Sequence, residues 1–132
     1  MMRPPLGNDA RVRVLVADDD PVILRLIEVN LGLEGFEVET AAGGEDAIAK
    51  AGHVDPDVIL LDVMMPGVTG WDVAARLKAD QATAHIPVVF LSARTQEEDR
   101  LKGEELGVAA YVSKPFDPVE LVATIRRLAG RA

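Results

Sequence analysis

Three consecutive aspartates, Asp18-Asp19-Asp20, follow the short apolar run Val12–Ala17. A fourth, Asp62, directly follows the run Val58–Leu61; Ser92 follows Pro87–Leu91, and Ser113-Lys114-Pro115 follows Ala109–Val112. If these runs are parallel strands, their carboxyl ends share one rim, and Asp18, Asp19 and Asp62 converge there. Like charges ~4 Å apart repel by about 4 kcal/mol at an effective dielectric of 20. Such a trio must take up a proton or hold a cation. Hard oxygen ligands with room for water suit Mg²⁺, which is often shared with a phosphate. A carboxylate is also a competent nucleophile toward phosphorus, giving an aspartyl phosphate. Phosphoryl transfer needs mostly positioning and charge neutralisation. Lys114 would bring a compact positive charge to the pocket, and the Ser92 hydroxyl could hydrogen-bond a phosphoryl oxygen.

The elements that must position these groups alternate along the chain. Ile23, Ile27 and Leu31 lie at helical spacing after Asp20-Pro21, and Gly32 is expected to end that helix. Phe36–Thr40 alternates as a half-exposed edge strand, whereas Val12–Ala17, Val58–Leu61, Pro87–Leu91 and Ala109–Val112 read as buried strands. Glu45–Ala51 and Trp71–Ala79 read as helices, the latter with Val73 and Leu77 four apart. Thr95–Leu106 is polar but helix-like, opening on a capping box, Thr95-Gln-Glu-Glu98, and stopping at Gly107. Asp117-Pro118 caps a last helix marked by Leu121, Ile125 and Leu128. Five strands alternating with five helices imply a parallel, doubly wound α/β fold. The flavodoxin-like order 2-1-3-4-5, in three α/β/α layers, fits, and it puts the ligand site beyond the ends of strands 1 and 3.

Composition sets the outer limits. The chain has 132 residues, 48% of them hydrophobic and 27% charged, which is enough for one core and too apolar for a disordered tail. Residues 1–10 read as a flexible leader and 11–130 as the domain. With no cysteine there is no disulfide framework and no thiol chemistry. A net charge of −8 makes direct nucleic-acid binding unfavourable. No apolar run approaches the ~20 residues that span a membrane, and the start of the chain lacks the apolar region of a secretory signal. A cytoplasmic protein is expected. Neither GxGxxG nor GxxxxGK[ST] occurs, so dinucleotide and P-loop nucleotide binding have no support.

Taken singly, Asp62 could be a loop carboxylate and Ser92 or Lys114 a surface residue; Asp20 is most simply a helix cap. Taken together, at successive strand ends, they form a constellation. The segments VLVADDDP (14–21), VILLDVMMPGVTG (58–70), VVFLSA (88–93) and YVSKPF (111–116) make the chain resemble the receiver domain of two-component response regulators, from about Val12 to Ala129. That resemblance implies Asp62 as phosphoacceptor, with Asp18, Asp19, Asp62 and the backbone carbonyl of Met64 as the Mg²⁺ ligands. It implies Ser92 as the hydroxyl that senses the phosphoryl group, Tyr111 as an aromatic rotamer switch, and Lys114 as the phosphate-binding lysine before a cis Pro115. Pro66 and Gly70 match the turn after the acceptor. The implied partners are a sensor histidine kinase or a histidine phosphotransfer protein. A downstream protein or dimer partner would dock on the face made by Thr95–Leu106, the fifth strand and the last helix. Only self-catalysed phosphoryl acceptance and slow autodephosphorylation are implied, not a separate enzyme activity. With only Gly130-Arg131-Ala132 after the last helix, a stand-alone or excised module without an output domain is expected.

A second class is a haloacid-dehalogenase-like phosphatase, since Asp18-x-Asp20-x-Val22 fits that nucleophile motif, with Asp18 as nucleophile. Against it, only Asp117 and Glu120 follow Lys114 where that family has a further acidic pair. A flavodoxin-like cofactor binder would offer hydroxyls and amides in its first loop, where this chain has three carboxylates. Trp71 is expected in core packing at a helix start. His53 and His85 are expected in solvated loops, and Arg126, Arg127 and Arg131 as complements to a helix dipole.

Overall fold

The computed structural model describes residues 11–93 and 97–130, with backbone alone for 97–99. Ten elements alternate: β1 (Arg13–Ala17), α1 (Pro21–Leu33), β2 (Glu37–Ala41), α2 (Gly44–Val54), β3 (Val58–Asp62), α3 (Gly70–Ala79), β4 (Val88–Ser92), α4 (Glu97–Glu105), β5 (Ala110–Ser113) and α5 (Pro118–Leu128). The five strands form one parallel sheet in the order β2-β1-β3-β4-β5. The expected three-layer, doubly wound fold is therefore found. The leader, Thr95 and the Glu98 side chain of the expected capping box lie outside the described residues.

Alternation along the strands divides the core into two layers. Leu15, Ala17, Ile59, Leu61, Val88 and Phe90 face α2 and α3, against Ala47, Ala51, Val73 and Leu77. Val14, Val16, Val58, Leu60, Val89 and Leu91 face α1 and α5, against Ile27, Leu31, Leu121 and Ile125. Strands covered on both faces have no polar side to show, which is why β3 and β4 read as unbroken apolar runs.

Three expectations need correction. The strand beginning near Ala109 is not buried like β3: only Val112 of β5 is buried, because β5 is the second edge of the sheet. Gly32 does not end α1, which runs on to Leu33. The reversal comes at Gly35, whose φ of +89° suits glycine, and Phe36 N–H closes the turn onto the Leu31 carbonyl at 3.1 Å. His53 stands in the last turn of α2 rather than in a loop, though it is exposed; His85 lies in the turn before β4. No described helix is long and apolar enough to cross a membrane.

Candidate phosphoacceptor site

The rim at the carboxyl ends of β1 and β3 gathers the expected acids. Asp18 follows β1, and its N–H reaches across to the Ala41 carbonyl of β2 at 3.2 Å, which extends the pairing by one residue. Asp20 caps α1: its Oδ1 accepts the Val22 N–H at 2.9 Å, and Pro21 fills the first helical position, where no N–H is needed. The carboxylates of Asp18, Asp19 and Asp62 each offer one oxygen, and these oxygens lie within 4.8 Å of one another. Asp18 and Asp62 are buried; Asp19 is exposed.

Asp18 is fully enclosed. Its Oδ1 accepts the Asp20 N–H at 3.0 Å, and its Oδ2 accepts from Lys114 Nζ at 2.6 Å. Asp62 Oδ1 accepts the Met64 N–H at 3.2 Å, and Lys114 Nζ lies 3.6 Å from the same oxygen. Lys114 thus lies between the two buried carboxylates. It does not neutralise both: the Asp62 pKa is pushed up from 3.8 to about 6. Burial is the largest cause and the Asp18 charge the next, against the opposing pull of the Met64 N–H and Lys114.

Neighbouring elements bring the remaining residues to this rim. Asp62 pairs with Leu91 in the sheet register, so Ser92 lies one residue beyond it on β4, fully buried. The Ser92 carbonyl accepts the Lys114 N–H at 2.7 Å, which fixes the lysine relative to β4. The Lys114–Pro115 bond is cis, as the resemblance implied. Tyr111 pairs with Phe90 in register; its ring meets the Phe90 ring edge-on, centroids 6.5 Å apart, and stays half-buried. Met64 keeps its side chain 54% exposed. Pro66 lies in the turn after Asp62, and Gly70 opens α3.

Three features escaped the sequence reading. A Cβ at Gly70 would stand 2.3 Å from the Asp62 carbonyl oxygen, so α3 starts in contact with the backbone of the acid. A Cβ at Gly44 would stand 2.6 Å from the Val68 carbonyl oxygen, so α2 starts against the loop that follows Asp62. The Gly43-Gly44 pair was the available signal. Finally, α1 carries a second apolar stripe, Val22, Leu26, Val29 and Leu33, all exposed. Its spacing of four, three and four is that of a helix-packing seam, and it runs beside the stripe of Ile27 and Leu31 that the same helix buries.

The donor set of the cluster is all hard oxygen, two of its acids are buried and one is raised. A small divalent cation such as Mg²⁺ would relieve that repulsion, and the residues present fit it. A family model described as the response regulator receiver domain matches residues 14–126. The chain belongs to that family. Among curated relatives, it is 42% identical over 119 residues to the DNA-binding dual master transcriptional regulator RpaA of Synechocystis, covering 90% of this chain and 49% of that protein. The chemotaxis protein CheY4 of Vibrio cholerae has a similar structure, with a TM-score of 0.86 at 34% identity over 90% of this chain and 99% of that one. So has the receiver domain of the sensor histidine kinase PA1611 from Pseudomonas aeruginosa, with a TM-score of 0.85 at 29% identity over 92% of this chain and 99% of that one. That structure is described with a magnesium ion coordinated in its active-site cleft. The chain spans about half or less of the curated relatives it matches first. Family membership also decides against the phosphatase alternative, and the enclosure of Asp18 agrees with that. This receiver domain is a module of two-component signalling.

Proposed function

We propose that this receiver domain, residues 11–130, takes a phosphoryl group on Asp62 from a phosphohistidine of a sensor histidine kinase or histidine phosphotransfer protein. One observation carries the choice of acid. Both oxygens of Asp18 hold a donor and its side chain is 1% exposed, whereas the Asp62 side chain keeps 8%. Asp62 is thus the more open of the two to an incoming phosphorus. In the transfer an Asp62 oxygen bonds to phosphorus, the phosphorus–nitrogen bond of the donor breaks, and the electron pair stays on the imidazole. Lys114 moves from bridging two carboxylates to neutralising a phosphoryl oxygen, and the Ser92 hydroxyl donates to another. Asp18, Asp19, Asp62 and the Met64 carbonyl would hold Mg²⁺, which supplies further neutralisation of the phosphoryl charge. Water later hydrolyses the aspartyl phosphate slowly, which resets the domain without making it an enzyme for a separate substrate.

Two surfaces serve this cycle in a cytoplasmic protein. The exposed seam on α1 begins at Val22, two residues after the Asp20 cap, beside the acid cluster. Its heptad-like spacing suits a helix of the phosphodonor, which would thereby be held next to Asp62. The α4–β5–α5 face, with Tyr111 half-buried on it, would change on phosphorylation and select a downstream protein or dimer partner.

Incubation with acetyl phosphate and Mg²⁺, followed by mass mapping, should place a single phosphoryl group on Asp62. Label retained in Asp62→Asn would refute the assignment. With a phosphorylated kinase as donor, Leu26→Asp should slow labelling by about tenfold, one 1.4 kcal/mol step. The same variant should label normally with acetyl phosphate. Equal slowing with both donors would remove the docking role of α1.

A further inference from the structure

Helix α4 is the least buried helix among those described. Of its described side-chain positions only Gly103 is buried, against Phe90 and Val108. Its other notable contact runs to α3: the Lys102 ammonium lies over the Trp71 ring, 5.8 Å from the centroid, within cation–π range. Trp71 directly follows Gly70, the residue pressed on the Asp62 carbonyl. Gly70 also donates its N–H to the Val63 carbonyl at 3.1 Å. A reciprocal Thr69–Asp72 capping box stiffens the same turn. Trp71 is therefore held at its backbone to the acceptor turn, while its ring touches thinly buried α4.

The indole is also divided in its preferences. Its Nε1 is buried and has no hydrogen-bond partner among the described residues. A buried, unpaired N–H disfavours the arrangement that buries it, because water would satisfy it. The ammonium over the ring favours the same arrangement. Two terms that pull one side chain in opposite directions are what a two-position contact needs.

We infer that the Trp71–Lys102 contact is a latch that holds α4 in the unphosphorylated arrangement and loosens when Asp62 is phosphorylated. The inference rests on Asp62 as the acceptor. It is distinct from a change relayed through Ser92 and Tyr111, since it runs through the start of α3. When the acceptor turn shifts, the indole shifts with it, the ammonium loses its place over the ring, and Nε1 gains water.

Trp71 is the only tryptophan in the chain, so its emission reports the latch directly. The test compares wild type, Lys102→Met and Lys102→Arg, titrated with beryllofluoride and Mg²⁺. Fluorine NMR reads adduct formation on Asp62, with Asp62→Asn as the blank. Lys102→Met keeps much of the side-chain length and loses the charge; Lys102→Arg keeps a cation over the ring. In the wild type the adduct should red-shift the Trp71 emission and raise its quenching by acrylamide. In Lys102→Met the free protein should already quench more, and its apparent beryllofluoride affinity should rise two- to fivefold. Lys102→Arg should restore both. A stabilising contact unconnected to switching would leave the affinity unmoved. Unchanged affinity in Lys102→Met, with a normal adduct, overturns the latch alone. No adduct in the wild type overturns the acceptor assignment and the latch with it.

Discussion

Strands β3 and β4 are matched. Each has five residues, each is buried throughout, and each ends in a polar residue at the rim, Asp62 or Ser92. The helices that follow them are not matched. α3 starts on a reciprocal capping box, buries Gly70, Val73, Ala74 and Leu77, and is tied at its far end. There Lys78 Nζ donates to the Ala84 and Ile86 carbonyls at 3.3 Å each, and Thr83 Oγ1 donates to the Leu77 carbonyl at 2.8 Å. α4 has Gly103 against the sheet and Lys102 over Trp71, the latter a contact of about 0.5–1 kcal/mol at an exposed site. Under the proposed function, the difference separates two tasks. An acceptor must be held in register with its cation ligands and its lysine, so its helix is fixed by packing. A reporting helix must have two arrangements of nearly equal free energy, so it is left thinly anchored.

The sharpest way to break this comparison is to truncate a leucine in each helix. Leu77 is buried between α3 and the sheet, and Leu77→Ala should cost about 3 kcal/mol. In a domain of this size that lowers Tm by about 10 °C. Leu101 is 50% exposed on α4, and Leu101→Ala should change stability by less than about 1 kcal/mol. Thermal unfolding followed by circular dichroism reads both. Losses of similar size would mean that α4 is as firmly packed as α3.

Gly70→Ala comes next. The new methyl would fall 2.3 Å from the Asp62 carbonyl oxygen, a backbone atom that cannot turn aside. Overpacking of this kind costs about 2–3 kcal/mol. It should also slow labelling by acetyl phosphate, because the start of α3 and the acceptor backbone must move apart. A variant that unfolds at the wild-type temperature and labels at the wild-type rate would remove the contact on which the fixed side of the comparison depends.

Much of this was legible in the sequence for a physical reason. β3 and β4 are apolar end to end because both faces are covered, and the polar residue at each end marks the rim at once. The alternation implies a parallel doubly wound sheet, and the order 2-1-3-4-5 that fits it, with Phe36–Thr40 at an edge, brings Asp18, Asp19 and Asp62 together. What stayed hidden was whatever depends on contact rather than period. The second edge is not legible because Ala109–Val112 is as apolar as a central strand, although only Val112 of β5 is fully buried. Gly32 looked like a stop, but the left-handed turn fell at Gly35. Trp71 packs against the core, as its place at a helix start suggests, yet no spacing in the chain pairs it with Lys102. The polarity of α4 was visible, whereas the role of Gly103 was not: it reads as a poor helix former, and in the structure it is where the helix approaches Phe90.

The fixed side also stores electrostatic strain, which pH can expose. The Asp62 pKa is raised from 3.8 to about 6, so the folded domain holds that proton more tightly than the unfolded chain does. Stability from this group is therefore lost as pH rises from about 4 to about 6 and is flat above. Asp62→Asn has no such proton. With a chelator present, the variant should gain on the wild type across that window, by on the order of 2 kcal/mol at pH 7. Mg²⁺ should remove most of the difference by stabilising the wild type. Denaturant titrations at pH 4, 5, 6 and 7 check this; a difference that does not vary with pH would contradict the repulsion argued for the cluster.

The smallest expected effect is the most telling about α4. Gly103→Ala makes the same chemical change as Gly70→Ala, in the same kind of element, one strand away. Here the methyl would meet side chains, Val108 Cγ2 at 3.0 Å and Phe90 Cδ2 at 3.4 Å, not a carbonyl. Val108 is only half-buried, and a side-chain methyl can give way where a backbone carbonyl cannot. Alanine is also a better helix former than glycine by about 1 kcal/mol. The steric penalty and the propensity gain oppose each other, so the net change should stay within about 0.5 kcal/mol, as for an ordinary surface substitution. The helix itself should still respond. Pushed a few tenths of an ångström from Phe90, it should exchange its amide protons faster than in the wild type, while α3 keeps wild-type protection. Hydrogen exchange read by NMR distinguishes the two helices in one sample. A loss as large as that of Gly70→Ala, or exchange that quickens equally in α3 and α4, would mean that the two helices belong to one rigid unit. The thin anchoring of α4 could then not be what lets it report on Asp62.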